Sequence, residues 1–163
     1  MPDPLGIALE TARRAGQLLR EHAGRRLEVR SKSTEIDLVT EADLASERLI
    51  VEALRRHFPG QPILAEEGLG DLQELAGEGE VLWLVDPLDG TVNYAHGLPV
   101  WGVSLALAHG GRPVLAVSYD PVLDEMYWAR RGEGARCNGR RIRVSTTARL
   151  SQSLVATGFA YRR

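Results

Sequence analysis

Cysteine occurs once in 163 residues, at Cys137, so no disulfide within the chain can hold the fold, and a small hairpin residue is the ordinary role for that side chain. No apolar run approaches the ~20 residues needed to cross a bilayer, and the N-terminus lacks a basic segment followed by an apolar one. Together these absences set the expectation of a soluble, cytoplasmic protein without a membrane partner. Aromatic residues make up only 6% of the chain and do not interleave with arginines in the way that stacks nucleic-acid bases. The four histidines, His22, His57, His96 and His109, show no paired metal-ligand spacing. Ser104 and Ser118 sit in strand-like segments without a nucleophile-elbow pattern, so a covalent serine mechanism is not expected. No internal repeat, low-complexity tract or interdomain linker divides the chain.

What is present is ordinary globular material, with 44% hydrophobic and 26% charged residues, enough for one core. The net charge of −2 hides an asymmetry. Residues 1–124 carry 11 basic and 20 acidic side chains, whereas residues 125–163 carry 9 and 2. A basic C-terminal third can meet an acidic partner such as RNA. Yet Arg130, Arg131, Arg136, Arg140, Arg141 and Arg143 cluster at expected turns and strands, where a solvated face accounts for them, so nucleic acid is not the expected partner.

Periodicity gives two helices followed by a run of strands. Asp3 and Pro4 supply a cap and a first-turn proline, Leu5, Leu9, Ala12, Ala15 and Leu19 recur at helical spacing, and Gly24 can stop the helix. A short strand is expected at 27–30, then a polar loop. Thr40 with Asp43 resembles a capping box, opening a helix that buries Leu44, Val51, Leu54 and Phe58 and ends before Pro59. Residues 69–80 are rich in Gly, Asp and Glu and read as a connector, with Leu72 and Leu75 able to anchor a short helix. Beyond residue 100 the period becomes two. Trp101, Val103, Leu105 and Leu107 alternate with Gly102, Ser104, Ala106 and Ala108, predicting a strand whose small-residue face is covered by a helix. Gly110-Gly111 and Asn138-Gly139 are turn signals in an antiparallel meander that includes 114–119 and 126–129. The expected fold class is α+β, a layered sandwich with an antiparallel sheet packed by two long helices.

Residues 81–85 read as a buried strand, which places Asp86 and Asp89 just past its end. Pro87 fixes one backbone angle between them and Gly90 permits a close turn immediately after. Asp-x-x-Asp-Gly has two readings: a simple turn, or a site where carboxylates, the Leu88 carbonyl and the amides of Gly90 and Thr91 converge on a cation and a phosphate. A second acidic pair, Glu66-Glu67, follows another apolar strand candidate at 63–65. Like charges gathered at the ends of two neighbouring strands repel unless a cation neutralises them, and oxygen-only donors suit Mg²⁺ or Mn²⁺ rather than zinc.

These residues resemble the magnesium-dependent inositol monophosphatase family. The resemblance rests on 86–93 (DPLDGTVN) with Glu66-Glu67 upstream, on Lys32 and the segment 37–43 (DLVTEAD), and on 134–145 (GARCNGRRIRVS). Ala65 departs from the glycine usual in the family before its Glu-Glu pair. Members usually continue into a second α/β unit carrying Trp-Asp-x-Ala-Ala-Gly, whose aspartate completes the metal site. Here Trp83, Trp101 and Trp128 are the only tryptophans, and none precedes an aspartate. Residues 1–163 are therefore expected to be the N-terminal unit of such a phosphatase, weak or inactive alone.

The resemblance implies hydrolysis of a phosphate monoester, inositol monophosphate foremost, by water activated at magnesium. It implies that Glu66, Asp86 and the Leu88 carbonyl hold one metal and that Asp86 and Asp89 contribute to a second. Glu66, Leu88, Asp89, Gly90 and Thr91 would face the substrate, with phosphate oxygens on the amides of Gly90 and Thr91. Thr91, oriented by Asp43, would help Glu66 position and deprotonate the water, and Lys32 would sit on a loop beside the metals. The residues alone leave Asp43 open as a helix cap and Glu67 as a structural hydrogen-bonding group. A homodimer is also implied. The alternatives are a related sugar or nucleotide phosphatase, or an incomplete fragment that binds a partner or RNA.

Overall fold

The computed structural model describes residues 2–23, 29–31, 38–68 and 81–157, the stretches 29–31 and 38–40 as backbone only. Lys32, Asp37, the stop signal at Gly24, the connector at 69–80 and the last six residues lie outside the described residues.

The first helix, α1, spans Pro4–His22 and starts where the sequence places it. Asp3 accepts the amides of Leu5 and Gly6 at 3.3 and 3.1 Å, satisfying donors that the first helical turn leaves orphaned. Its buried face is built from Leu5, Ala8, Ala12, Ala15 and Leu19, with Leu9 only partly buried. The short strands β1 (Val29–Ser31) and β2 (Leu38–Thr40) form an antiparallel pair; the expected strand start at residues 27–28 lies outside the described residues.

The second helix, α2, spans Glu41–His57 directly after Thr40. Val51, Leu54 and Phe58 are buried as expected, but Leu44 is 37% exposed. The stripe that faces inward includes Asp43, Ser46, Glu47, Ile50 and Leu54, so part of the buried face is polar and an apolar-only reading misplaces Leu44 in the core.

Seven strands form one mixed sheet in the order β3-β4-β5-β6-β7-β8-β9. They are β3 (Ile63–Ala65), β4 (Val81–Asp89), β5 (Gly102–His109), β6 (Arg112–Asp120), β7 (Glu125–Arg130), β8 (Gly134–Cys137) and β9 (Arg140–Ile142). All neighbouring pairs from β4 onward are antiparallel, as the meander requires, while β3 runs parallel to β4. The all-antiparallel expectation fails at that one pair because residues 66–80 supply the long connection that parallel strands need, whereas the later strands are joined by tight turns. At the β8–β9 turn Asn138 and Gly139 both take positive φ, 47° and 79°, which fits a two-residue hairpin loop.

The helices cover one side of the sheet, burying Trp83, Val103, Leu105, Leu115 and Val117 against Leu19, Ile50 and Leu54. Each fully buried aliphatic side chain contributes roughly 1.5–3 kcal/mol relative to exposure. The helix α1 packs tightly on β6 at Gly16, where an added Cβ would lie 2.6 Å from the Tyr119 ring and 2.7 Å from Pro121. Two of the small residues of β5, Ser104 and Ala106, do not lie under a helix, contrary to expectation. Ser104 and Ala106 instead line an open recess of about 700 Å³ together with Leu84, Ala116, Trp128 and Ile142. Small residues kept that face low, and the large alternating residues took the helix side.

Candidate metal and phosphate site

The acidic motif lies inside a strand, not beyond its end. β4 continues through Asp89, with Asp86 opposite Ser104 and Asp89 opposite Gly102, so three steps on β4 match two on β5. That bulge accommodates Pro87, which has no amide to give to the ladder, and turns the two aspartates out of regular alternation. Gly90 follows in the left-handed region at φ 92°, with the Val100 carbonyl 2.9 Å from where a Cβ would stand. Only glycine fits both constraints. A short helix, α3 (Thr91–Ala95), begins at once.

Glu66 enters from the turn after β3, its amide donating to the Val85 carbonyl at 3.2 Å. Its carboxyl hydrogen-bonds to that of Asp86, and Asp89 adds a third charge nearby. Burial first, then the charges of Glu66 and Asp89, push the Asp86 carboxyl up to about 7, although the Leu88 amide at 3.2 Å opposes the shift. A partly buried carboxyl crowded by two others occupies a place where positive charge is favoured. Among the described residues no three His, Cys, Asp or Glu side chains are already arranged as a complete set of ion ligands. The donor set, carboxylate and carbonyl oxygens only, fits a hard divalent cation.

Thr91 stands beside this group. Its Oγ1 lies 2.9 Å from Asp43 Oδ1 and 3.1 Å from the Leu88 carbonyl, one hydroxyl proton serving both acceptors. Asp43 is 1% exposed on α2 and belongs to the tertiary contact with Thr91, whatever part it also takes in the helix start. Leu88 is itself buried, which fixes the strand end that carries its carbonyl.

Two polar residues escaped the sequence reading. Ser46 Oγ donates to the Pro87 carbonyl at 2.8 Å, and Glu47 Oε2 accepts the Glu67 amide at 2.5 Å. Both are 0% exposed. The available signal was their position one turn after Asp43 on the face that points inward. Glu67 is partly buried, and through its amide it is tied to α2.

The inositol monophosphatase family model matches residues 3–163. A fructose-1,6-bisphosphatase/inositol-1-monophosphatase of Thermotoga maritima is 41% identical over 156 residues, covering 96% of this chain and 59% of the relative. The Nus factor SuhB of Pseudomonas aeruginosa is 46% identical over 165 residues, covering 99% and 60%. Among solved structures, an inositol monophosphatase from Anabaena superposes with a TM-score of 0.81 at 44% identity, covering 96% of this chain and 55% of that one. A more distant one, an IMPase/NADP phosphatase complexed with Mg²⁺ and phosphate, has a TM-score of 0.73 at 29% identity, covering 83% and 51%. The chain thus spans about three-fifths of the length of the curated relatives it matches.

Proposed function

The chain belongs to the inositol monophosphatase family, and from that premise we propose that residues 1–163 form the N-terminal part of a Mg²⁺-dependent phosphomonoesterase. The observation that carries the reading is the meeting of the Glu66 and Asp86 carboxyls, with Asp89 beside them, at the bulged end of β4. Glu66, Asp86 and the Leu88 carbonyl would hold one ion, and Asp86 with Asp89 would contribute to a second; Mn²⁺ would serve in place of Mg²⁺. When bound, the cations supply Lewis acidity toward the phosphoryl oxygens and the attacking water.

The chain's own residues do the rest. Amides of Gly90 and Thr91 at the tight turn receive phosphate oxygens, and the left-handed Gly90 lets the backbone come close. Thr91 Oγ1, held by Asp43, fixes one hydrogen-bond position for the attacking water, and Glu66 takes its proton. The rigid strand end fixes Asp86 and Asp89 before substrate arrives.

The substrate is a small phosphorylated polyol, inositol monophosphate first, with sugar bisphosphates and nucleotide phosphates as the competing class. A cytoplasmic homodimer is the expected setting, and no helix among the described residues is long and apolar enough to cross a membrane. Phosphate release from inositol 1-phosphate by a chain carrying the family's second unit, titrated with Mg²⁺ and compared with fructose 1,6-bisphosphate, tests the reading. Equal turnover with and without divalent cation would reject it.

A second reading is favoured by the basic hairpin of β8 and β9, where Arg136, Arg140 and Arg141 are exposed, and by a relative named as a Nus factor. Here the chain binds an RNA or protein partner without turnover. Salt-dependent binding of RNA to a phosphatase-inactive Asp89→Asn variant would support this second reading.

A further inference from the structure

Glu47 is 0% exposed, and burying an ionisable side chain so completely is unfavourable unless its oxygens are matched with donors. Ile50 and Leu54 fill the same stripe of α2 further along with ordinary aliphatic packing. The carboxylate at 47 instead reaches out of the helix to the amide of Glu67, at 2.5 Å. That amide belongs to the residue directly after Glu66. On the other side of Glu66, its own amide is tied to the Val85 carbonyl of β4 at 3.2 Å. The exposed turn that carries Glu66 is therefore clamped between the sheet and α2. The neighbouring helix residue, Ser46, holds the Pro87 carbonyl at 2.8 Å, next to Asp86. One turn of one helix thus grips both segments whose carboxyls meet at Glu66 and Asp86.

We propose that Glu47 is a positioning residue that sets Glu66 against Asp86 through the Glu67 amide. The proposal rests on the reading of Glu66 as a cation ligand. Coordination demands placement to within about 0.5 Å, which an exposed turn cannot hold without such a support. A helix is the stiffest element near the site, and a carboxylate is a stronger acceptor for an amide than any neutral group.

The test uses the intact protein, with Mn²⁺ as the probe and without substrate. In Glu47→Leu the Glu67 amide proton should move upfield and lose hydrogen-exchange protection, and Mn²⁺ affinity should fall roughly 10–100-fold. Glu47→Gln keeps an acceptor oxygen and should retain most of the affinity. In a Glu66→Gln background, Glu47→Leu should cause no further loss, because the route through Glu66 is already gone. A loss of the same size in both backgrounds, or no loss in Glu47→Leu beside a clear loss in Glu66→Gln, would overturn the positioning role alone. Unchanged Mn²⁺ affinity in Glu66→Gln would overturn the ligand reading and this proposal with it. Should Glu47→Leu fail to fold, the smaller loss in Glu47→Gln must likewise vanish in the Glu66→Gln background, and its persistence there would overturn the proposal.

Discussion

Thr91 Oγ1 lies 2.9 Å from Asp43 Oδ1, a contact between residues 48 positions apart in the chain that joins the helix after β2 to the turn after β4. It ties the start of α2 to the start of α3, directly after the bulged end of β4. A hydroxyl whose proton is engaged by a buried acceptor has its lone pairs directed elsewhere, and in the proposed reaction they would meet the attacking water.

Asp43→Asn should therefore leave the fold intact, since volume is preserved, and lower kcat for inositol 1-phosphate by roughly two orders of magnitude. Thr91→Val should do the same, and the double variant should be little worse than either single one. Additive losses in steady-state kinetics would show that the two residues act separately.

The motif residues were legible because aspartates, proline and glycine in fixed order after an apolar run constrain the backbone whatever surrounds them. Asp86 and Asp89 could be paired with Glu66 from sequence alone, since both follow strand candidates. Their place inside a bulged strand was not legible, because bulges depend on the partner, here Ser104 and Gly102. Ser46 and Glu47 were missed for a related reason. Periodicity scores apolar residues, and a buried face completed by hydrogen bonds to Pro87 and Glu67 carries no such signal. Leu44, in turn, looked like core and is exposed for the same reason.

Gly16 offers a test of packing rather than chemistry. An added methyl there would lie 2.6 Å from the Tyr119 ring, and the Pro121 ring blocks its retreat at 2.7 Å. Gly16→Ala gains helix propensity of about 1 kcal/mol but should still be destabilising, by roughly 1–3 kcal/mol of overpacking, and Gly16→Val more so. An unchanged or raised Tm in Gly16→Ala would mean that α1 does not sit this close to β6.

Tyr119 Oη donates to Asp124 Oδ1 at 2.8 Å, and Arg13 reaches the same oxygen at 3.0 Å. The Tyr119 bond first, then Arg13, hold the Asp124 carboxyl below its ordinary 3.8. A lowered carboxyl stabilises above its unfolded value and loses that contribution as pH falls through its folded one. Burial first, then the Asp124 bond, raise the Tyr119 hydroxyl above 10.0, so its contribution is full below that pH and is lost as pH rises through the folded value. The Tm difference between wild type and Asp124→Asn should be flat across neutral pH and shrink below about pH 4. A difference that grows on acidification would contradict this pairing.

Asp86 gives the opposite sign. Its carboxyl, raised to about 7 by burial and by Glu66 and Asp89, favours the protonated folded state. Its contribution in the absence of metal is full below the ordinary 3.8 and is lost as pH rises through about 7. Metal-free protein should thus be less stable at pH 8 than at pH 5, by a few kcal/mol at most once solvent screening of this half-buried group is allowed for. A divalent cation must displace the proton, so its apparent affinity should climb with pH up to about 7 and then level off. Thermal melts with and without Mg²⁺ at the two pH values check this directly. Mg²⁺ should raise Tm strongly at pH 8 and little at pH 5, and Asp86→Asn should abolish both the pH slope and the Mg²⁺ response. Equal Mg²⁺ stabilisation at both values would place the cation away from Asp86 and remove the observation on which the phosphatase reading stands.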